Sequence, residues 1–261
     1  LMLAQGYPLP EVDIAAQYPE GVRPTRELTA LMEYATALAY RLFSAVATPP
    51  DFRWFVILWV AAISSLTIPA FYFLAEKVSR STGLALAASA VYGLSWAAQS
   101  NMIATYVFES FALPLMLASL ACLAAALDGP EHTRQPHACA AGALMVAALA
   151  SWHLARFYWA SLLLGLAWLT WKSRNEPDKQ RALRDTLTVI QTILILAGLS
   201  IGCLRENWFA ASPIMIMGYG LLLWLWFPRR RKAVCALTLA ALTLAAWKSR
   251  DSEAYAHVYS Y

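Results

Sequence analysis

The chain has 261 residues, of which 60% are hydrophobic and only 14% charged, with a net charge of +4 and a mean hydropathy of +0.50. A soluble domain is about half apolar and about a quarter charged, so this composition excludes an ordinary soluble globule. The apolar residues fall in long blocks, the pattern of a polytopic membrane protein, and the small net charge carries no signature of a nucleic-acid partner.

The predicted organisation is all-α: a polytopic transmembrane helical bundle with an interfacial amphipathic helix near its N-terminus. Residues 1–53 read as an external loop that carries this helix, 54–247 as a bundle of about eight spans, and 248–261 as the start of a large external loop. The polar opening "GYPLPEVDIAAQYPEG" contains Asp13, Tyr18 and Glu20. Tyr18-Pro19 and Gly21 shape a turn there. The segment 26–47 is long enough to span but contains Arg26, Glu27, Glu33 and Arg41, and charges at mid-membrane are costly. Leu28, Leu31, Met32, Ala35, Leu38 and Leu42 recur at three- and four-residue spacing, which suits a helix lying in the interface. The alternative is a further span.

A span needs about 20 mostly apolar residues. Candidate spans follow at roughly 54–75, 83–99, 107–127, 138–152, 155–171, 186–204, 213–227 and 233–247. Pro114 predicts a kink in the third, and Gly198 and Gly202 form a GxxxG pair in the sixth, a spacing that permits close helix approach. The four cysteines lie far apart, with no CxxC pair and no Cys/His cluster. They read as small buried hydrophobes rather than a zinc or redox site.

Loop charge sets the expected orientation, because Lys and Arg concentrate on the cytoplasmic side. The loops after the first, third, fifth and seventh spans hold Lys77, Arg80, Arg134, Lys172, Arg174, Lys179, Arg181, Arg184, Arg229, Arg230, Arg231 and Lys232. The loops after the second, fourth and sixth, with the tail, hold only Arg156, Arg205, Lys248 and Arg250. Both ends of the chain are therefore expected outside.

The sparse outward loops carry unusual residues. "SNMIATYVFESFALP" has Glu109 at the mouth of the third span, "SWHLARF" has His153 and Arg156, and "LRENWF" has Arg205 beside Glu206. The tail "KSRDSEAYAHVYSY" has Asp251, Glu253 and His257. Any one carboxylate here reads equally well as a solvated helix end. Together, acids that can hold a hard cation share a face with cations that can hold a phosphate. That combination suits a reaction on a phosphate-linked lipid.

With these residues in view, a family resemblance emerges. "GYPLPEVDIAAQYPEG" followed by an amphipathic helix resembles the first external loop of the catalytic subunit of oligosaccharyltransferase and its bacterial and archaeal relatives. "YVFESFALPLML" is similar to that family's second acidic motif, and "ALASWHLARFYWASLLL" to its helix-closing Ser/Ala-Trp segment. "SRDSEAYAHV" falls where the family's fifth external loop starts. The resemblance covers nearly the whole chain, by order and sidedness of short motifs. It implies a GT-C glycosyltransferase in a multi-pass plasma-membrane setting of the bacterial or archaeal kind. Such an enzyme transfers a glycan from a polyprenyl (pyro)phosphate carrier to a protein or peptide acceptor with a divalent metal, Mn²⁺ or Mg²⁺.

The resemblance implies a metal-holding, catalytic role for Glu109, with Asp13 as a second candidate metal ligand. It makes Glu253 a candidate acceptor-engaging glutamate. Side and charge, rather than motif, assign Arg156, Arg205 and His153 to the lipid-linked phosphate, with Tyr18 and Glu20 on the same substrate side. Asp13 and Glu20 have an alternative role in ordering their loop. The family's partner acid two positions before Glu109 is Val107 here, leaving one carboxylate in the motif. The family's first catalytic aspartate would lie upstream of this chain and its soluble domain downstream, so the chain alone is expected to be inactive.

Two other readings stay open. One is a different GT-C transferase using a lipid-monophosphate sugar. The other is a non-catalytic polytopic protein or transporter, although a transporter places ionisable residues at mid-span and these spans are nearly free of them.

Overall fold

The computed structural model describes residues 2–11, 13, 31–48, 51–95 and 107–249. Among them, every regular element is a helix. A short α1 (Met2–Gln5) precedes α2 (Leu31–Val46). Then come α3 (Phe52–Ser65), α4 (Thr67–Ser79), α5 (Thr82–Leu94), α6 (Phe108–Asp128), α7 (Glu131–Ser151) and α8 (Ala155–Lys172). The chain continues with α9 (Pro177–Ser200), a short α10 (Gly202–Glu206), a 3-10 turn at Phe209–Ala211, α11 (Pro213–Trp226), a second 3-10 turn at Pro228–Arg230 and α12 (Arg231–Ser249). The structure is that of an all-helical membrane protein. Among the described residues, three stretches are long and apolar enough to cross a bilayer: Phe52–Ser79, Phe108–Asp128 and Pro177–Ser200. The apolar helices α5 and α11 have 13 and 14 residues, or about 20 Å at 1.5 Å per residue against a hydrocarbon core of about 30 Å.

Each apolar stretch of the sequence folds as helix, but the boundaries move for identifiable reasons. The first is broken in two. Asp51 caps α3 by accepting from the Arg53 amide at 2.9 Å. The helix then bends at Leu66, where Pro69 of the next turn has no N–H to return to Ser65. Thr67 Oγ1 donates to the Ser64 carbonyl at this bend, and Ser64 Oγ donates to the Ser110 carbonyl of α6 at 3.4 Å. The bend therefore lies level with the first turn of α6. The α7 and α9 helices begin earlier than hydropathy predicts, at Glu131 and Pro177, because their first turns are charged but still helical. Pro114 sits inside α6, which runs unbroken through it.

The GxxxG expectation fails for a structural reason. α9 ends at Ile201, whose backbone is extended (φ −83°, ψ 121°), so Gly202 begins a separate helix. Gly198 provides a close approach, facing Ala210 and Phe209. The cysteines also depart from expectation: Cys139 and Cys235 are exposed, and Cys122 and Cys203 half-buried.

Small residues set the central packing. Buried small residues line both helices, Ala112, Ala121 and Ala125 on α6 and Ala138, Ala141 and Ala148 on α7, while Gly142 of α7 approaches Ile193 of α9. Such seams let helices approach closely where van der Waals packing, rather than water exclusion, drives association. Ser119 Oγ bonds the Ala141 carbonyl across this seam at 2.8 Å. The core around it contains Met145, Leu149, Trp159, Leu163, Ile190, Leu194, Phe209 and Met215. Tyr158 of α8 donates to the Met116 carbonyl at 2.8 Å, and Tyr219 of α11 to the Ala210 carbonyl at 2.7 Å.

The α2 helix is apolar on two faces rather than one. Met32 and Ala37 are buried against the protein, whereas Tyr34, Leu38, Leu42 and Val46, each four residues apart, are exposed as a stripe. Tyr40 packs edge-on against Phe52 and Phe55 of α3, at 5.0 and 5.1 Å. One face thus docks on the bundle and the other is free for lipid, a geometry suited to a helix lying in an interface.

Successive helices run up and down, so chemistry separates by end. One end gathers the start of α6, the α7–α8 turn, α10 and the start of α11. The other gathers the α4–α5, α6–α7, α8–α9 and α11–α12 connections. Arg80, in a left-handed conformation (φ 53°), closes α4 at that second end and reaches Asp128 at the end of α6 at 3.6 Å.

Candidate functional site

The site begins at the first turn of α6. Val107 is extended (φ −121°, ψ 147°) and lends no side-chain cap. Glu109 therefore supplies the first-turn carboxylate that the positive end of a helix favours, and it is half-buried. Opposite it, α7 stops at Trp152, whose extended backbone (φ −150°, ψ 119°) turns the chain. Two residues later α8 starts. The Arg156 amide donates to the His153 carbonyl at 3.3 Å, so the turn holds these two residues on one loop.

The Glu109 carboxylate and the Arg156 guanidinium both act on the His153 imidazole. The His153 residue is exposed at the turn, yet partial desolvation of its imidazole first, and the Arg156 guanidinium second, hold it below its ordinary pKa, while the Glu109 carboxylate pulls in the opposite direction. Only groups close in space act in this way. Arg156 is half-buried, and its Nε lies buried without a hydrogen-bond partner. It also senses the Cys203 thiol on α10. A guanidinium with an unused donor and an imidazole biased toward its neutral form, at the end of the bundle that carries the Glu109 carboxylate, can bind an oxyanion, accept a proton and orient a nucleophile.

Two further residues of the expected set are described. Arg205 is at the same end but forms an ion pair with Glu206 at 3.6 Å, with its side chain 60% exposed. Asp13 is half-buried and already engaged in an interaction. Tyr18, Glu20 and Glu253 lie outside the described residues.

Cys203 is the member of the neighbourhood that the sequence did not flag. Spacing could not reveal it, because the helix break at Ile201 is what turns α10 and its thiol toward Arg156. Asn207 reinforces the break by donating from Nδ2 to the Cys203 carbonyl at 2.7 Å.

A divalent ion does not fit the described residues on their own. No group of three His, Cys, Asp or Glu side chains comes together among them. A hard cation wants several oxygen ligands, and the one carboxylate of Glu109 does not supply them. Comparisons with protein-family models, with curated proteins and with solved structures each find no match to the chain.

Proposed function

We propose that the chain is the membrane part of a GT-C type glycosyltransferase that moves a glycan from a polyprenyl (pyro)phosphate carrier to a protein or peptide acceptor. The reaction would take place at the bundle end bearing Glu109, which in this reading faces outside the cell or into a lumen. The observation that carries this reading is that Glu109, on the first turn of α6, and Arg156, beside the α7–α8 turn, both act on the His153 imidazole of that turn at one end of the helical bundle.

In this reading Arg156 receives the carrier phosphate through its unused donor and offsets the charge that grows on the leaving group. Glu109 orients the acceptor through a charge-assisted hydrogen bond. His153, biased toward its neutral form, takes the proton released as the acceptor attacks. The scarcity of basic loops at this end supports the outward orientation. A divalent metal would need ligands beyond Glu109.

The test is a transfer assay on the intact protein with a polyprenyl-linked glycan and an acceptor peptide. Glu109→Gln should abolish transfer, and Arg156→Lys should weaken donor binding, because a lysine cannot reproduce the planar fork of a guanidinium. Transfer unaffected by Glu109→Gln would refute the assignment. Donor binding without any transfer would favour a scaffold.

A further inference from the structure

At the end of the bundle opposite Glu109, the α8–α9 and α11–α12 connections form one continuous surface. Arg184 near the start of α9 lies over the Trp226 ring at the end of α11, 4.5 Å from its centroid. Trp226 Nε1 donates in turn to Thr188 Oγ1 at 3.4 Å. These contacts bring the cations of both turns together.

The acids of this region are already committed. Glu176 holds Lys179 at 2.7 Å, Asp178 holds Arg181 at 3.9 Å and Asp185 holds Arg184 at 2.9 Å. Lys172, Arg174, Arg229, Arg230, Arg231 and Lys232 have no carboxylate partner among the described residues. Three of these cations instead rest on tryptophan rings: Lys172 on Trp168 at 5.0 Å, Arg174 on Trp171 at 5.7 Å and Arg231 on Trp224 at 5.3 Å. Arg231 Nε is buried with no hydrogen-bond partner. A cation lying over a ring keeps its N–H groups free at the edge.

Trp168, Trp171 and Trp226 are exposed on the flanks of their helices. Exposed indoles at a helix end mark the headgroup level of a bilayer, and the unpaired cations lie in that layer or just beyond it. We infer that this aromatic and basic surface binds the phosphodiester headgroups of anionic phospholipids. The tryptophans would lie against the upper acyl chains while the arginines and lysines hold the phosphates. The indoles favour a lipid over a soluble polyanion, which would leave them exposed to water. The inference is independent of the transferase reading, because it uses no residue of that site.

The experiment uses the full chain purified in detergent, washed free of lipid and offered an equimolar mixture of phosphatidylglycerol and phosphatidylcholine. Native mass spectrometry counts the lipids retained. Phosphatidylglycerol should be enriched at least about a hundredfold, given that each basic residue near the surface favours anionic lipid by roughly a factor of five. Replacing Arg229, Arg230 and Lys232 together by Gln should weaken its retention about a hundredfold. Arg53→Gln at the opposite end should leave retention unchanged.

Equal retention of the two lipids, or wild-type retention by the triple variant, would overturn the inference. Should the triple variant lose helicity, the wild type decides: raising salt from about 0.05 to about 1 M should strip phosphatidylglycerol preferentially, and salt-insensitive retention would refute the idea. Complete displacement by inorganic phosphate would mark a small-anion site and would equally refute a lipid surface.

Discussion

Gly218 and Gln191 offer a sharp test of how the bundle packs. Gln191 of α9 is only 1% exposed, and both its amide atoms are buried without a hydrogen-bond partner. It fits because Gly218 of α11 has no side chain: a Cβ built there would lie 1.5 Å from Gln191 Nε2 and 2.8 Å from its Cδ. Gly218→Ala must displace the amide, and a side chain this buried has little room to move. Overpacking a close-packed site typically costs about 1–3 kcal/mol, and we expect a loss in that range. Gln191→Ala removes the obstruction together with two unsatisfied polar atoms, each carrying a desolvation penalty of about 1–3 kcal/mol. That relief offsets much of the packing it sacrifices. The double variant should thus be more stable than Gly218→Ala alone, with a coupling of about 1–2 kcal/mol between the sites. Equilibrium unfolding in mixed micelles, followed by tryptophan fluorescence, measures all four proteins. Strictly additive effects, or a cost below about 0.5 kcal/mol for Gly218→Ala, would show that the two residues are not interlocked.

Other consequences can be checked separately. His153 is held below its ordinary pKa of 6.5, so the unfolded chain binds more protons near that pH. The stability due to its neutral form is present above about pH 6.5 and declines as pH falls toward the folded-state pKa; His153→Gln should flatten that dependence in a pH series of melting curves. NMR titration of the same imidazole should move upward in Arg156→Gln and further downward in Glu109→Gln, since the first removes a repelling charge and the second an attracting one; no movement in either would separate the three residues. Ser212 caps α11 by accepting from the Met215 amide at 3.4 Å, ahead of Pro213 at the first helical position, and Ser212→Ala should cost about 0.5–2 kcal/mol in thermal unfolding. In a cysteine-free background, Leu154→Cys should react with an impermeant maleimide from outside intact cells and Arg230→Cys should not; the reverse pattern would invert the orientation.

Much of the molecule was readable in the sequence because membrane helices are specified locally. A run of apolar residues near the length of the bilayer has its backbone bonds satisfied within itself, so each predicted stretch became a helix without help from its neighbours. The alternation of ends follows from chain order, which is why Glu109, His153 and Arg156 could be assigned to one side from loop positions alone.

The rest depended on contacts distant in sequence. The bend at Leu66 is a local proline effect, but its level beside Ser110 is set by packing of the preceding helix against α6. The exposed stripe of Tyr34, Leu38, Leu42 and Val46 could not be separated from the buried Met32 face by periodicity, because both are apolar and only docking distinguishes them. The split of Gly198 from Gly202 required the extended backbone at Ile201. The sequence by itself determined the helical class, the rough positions of the helices and the sidedness of their charges. Only the tertiary structure decided that Arg156 keeps an unused donor beside Cys203, that Arg205 is committed to Glu206, and that Gln191 sits over Gly218. The reason is physical: hydropathy and helix formation act over one or two turns of chain, whereas burial, charge pairing and close approach depend on which helix comes to lie alongside.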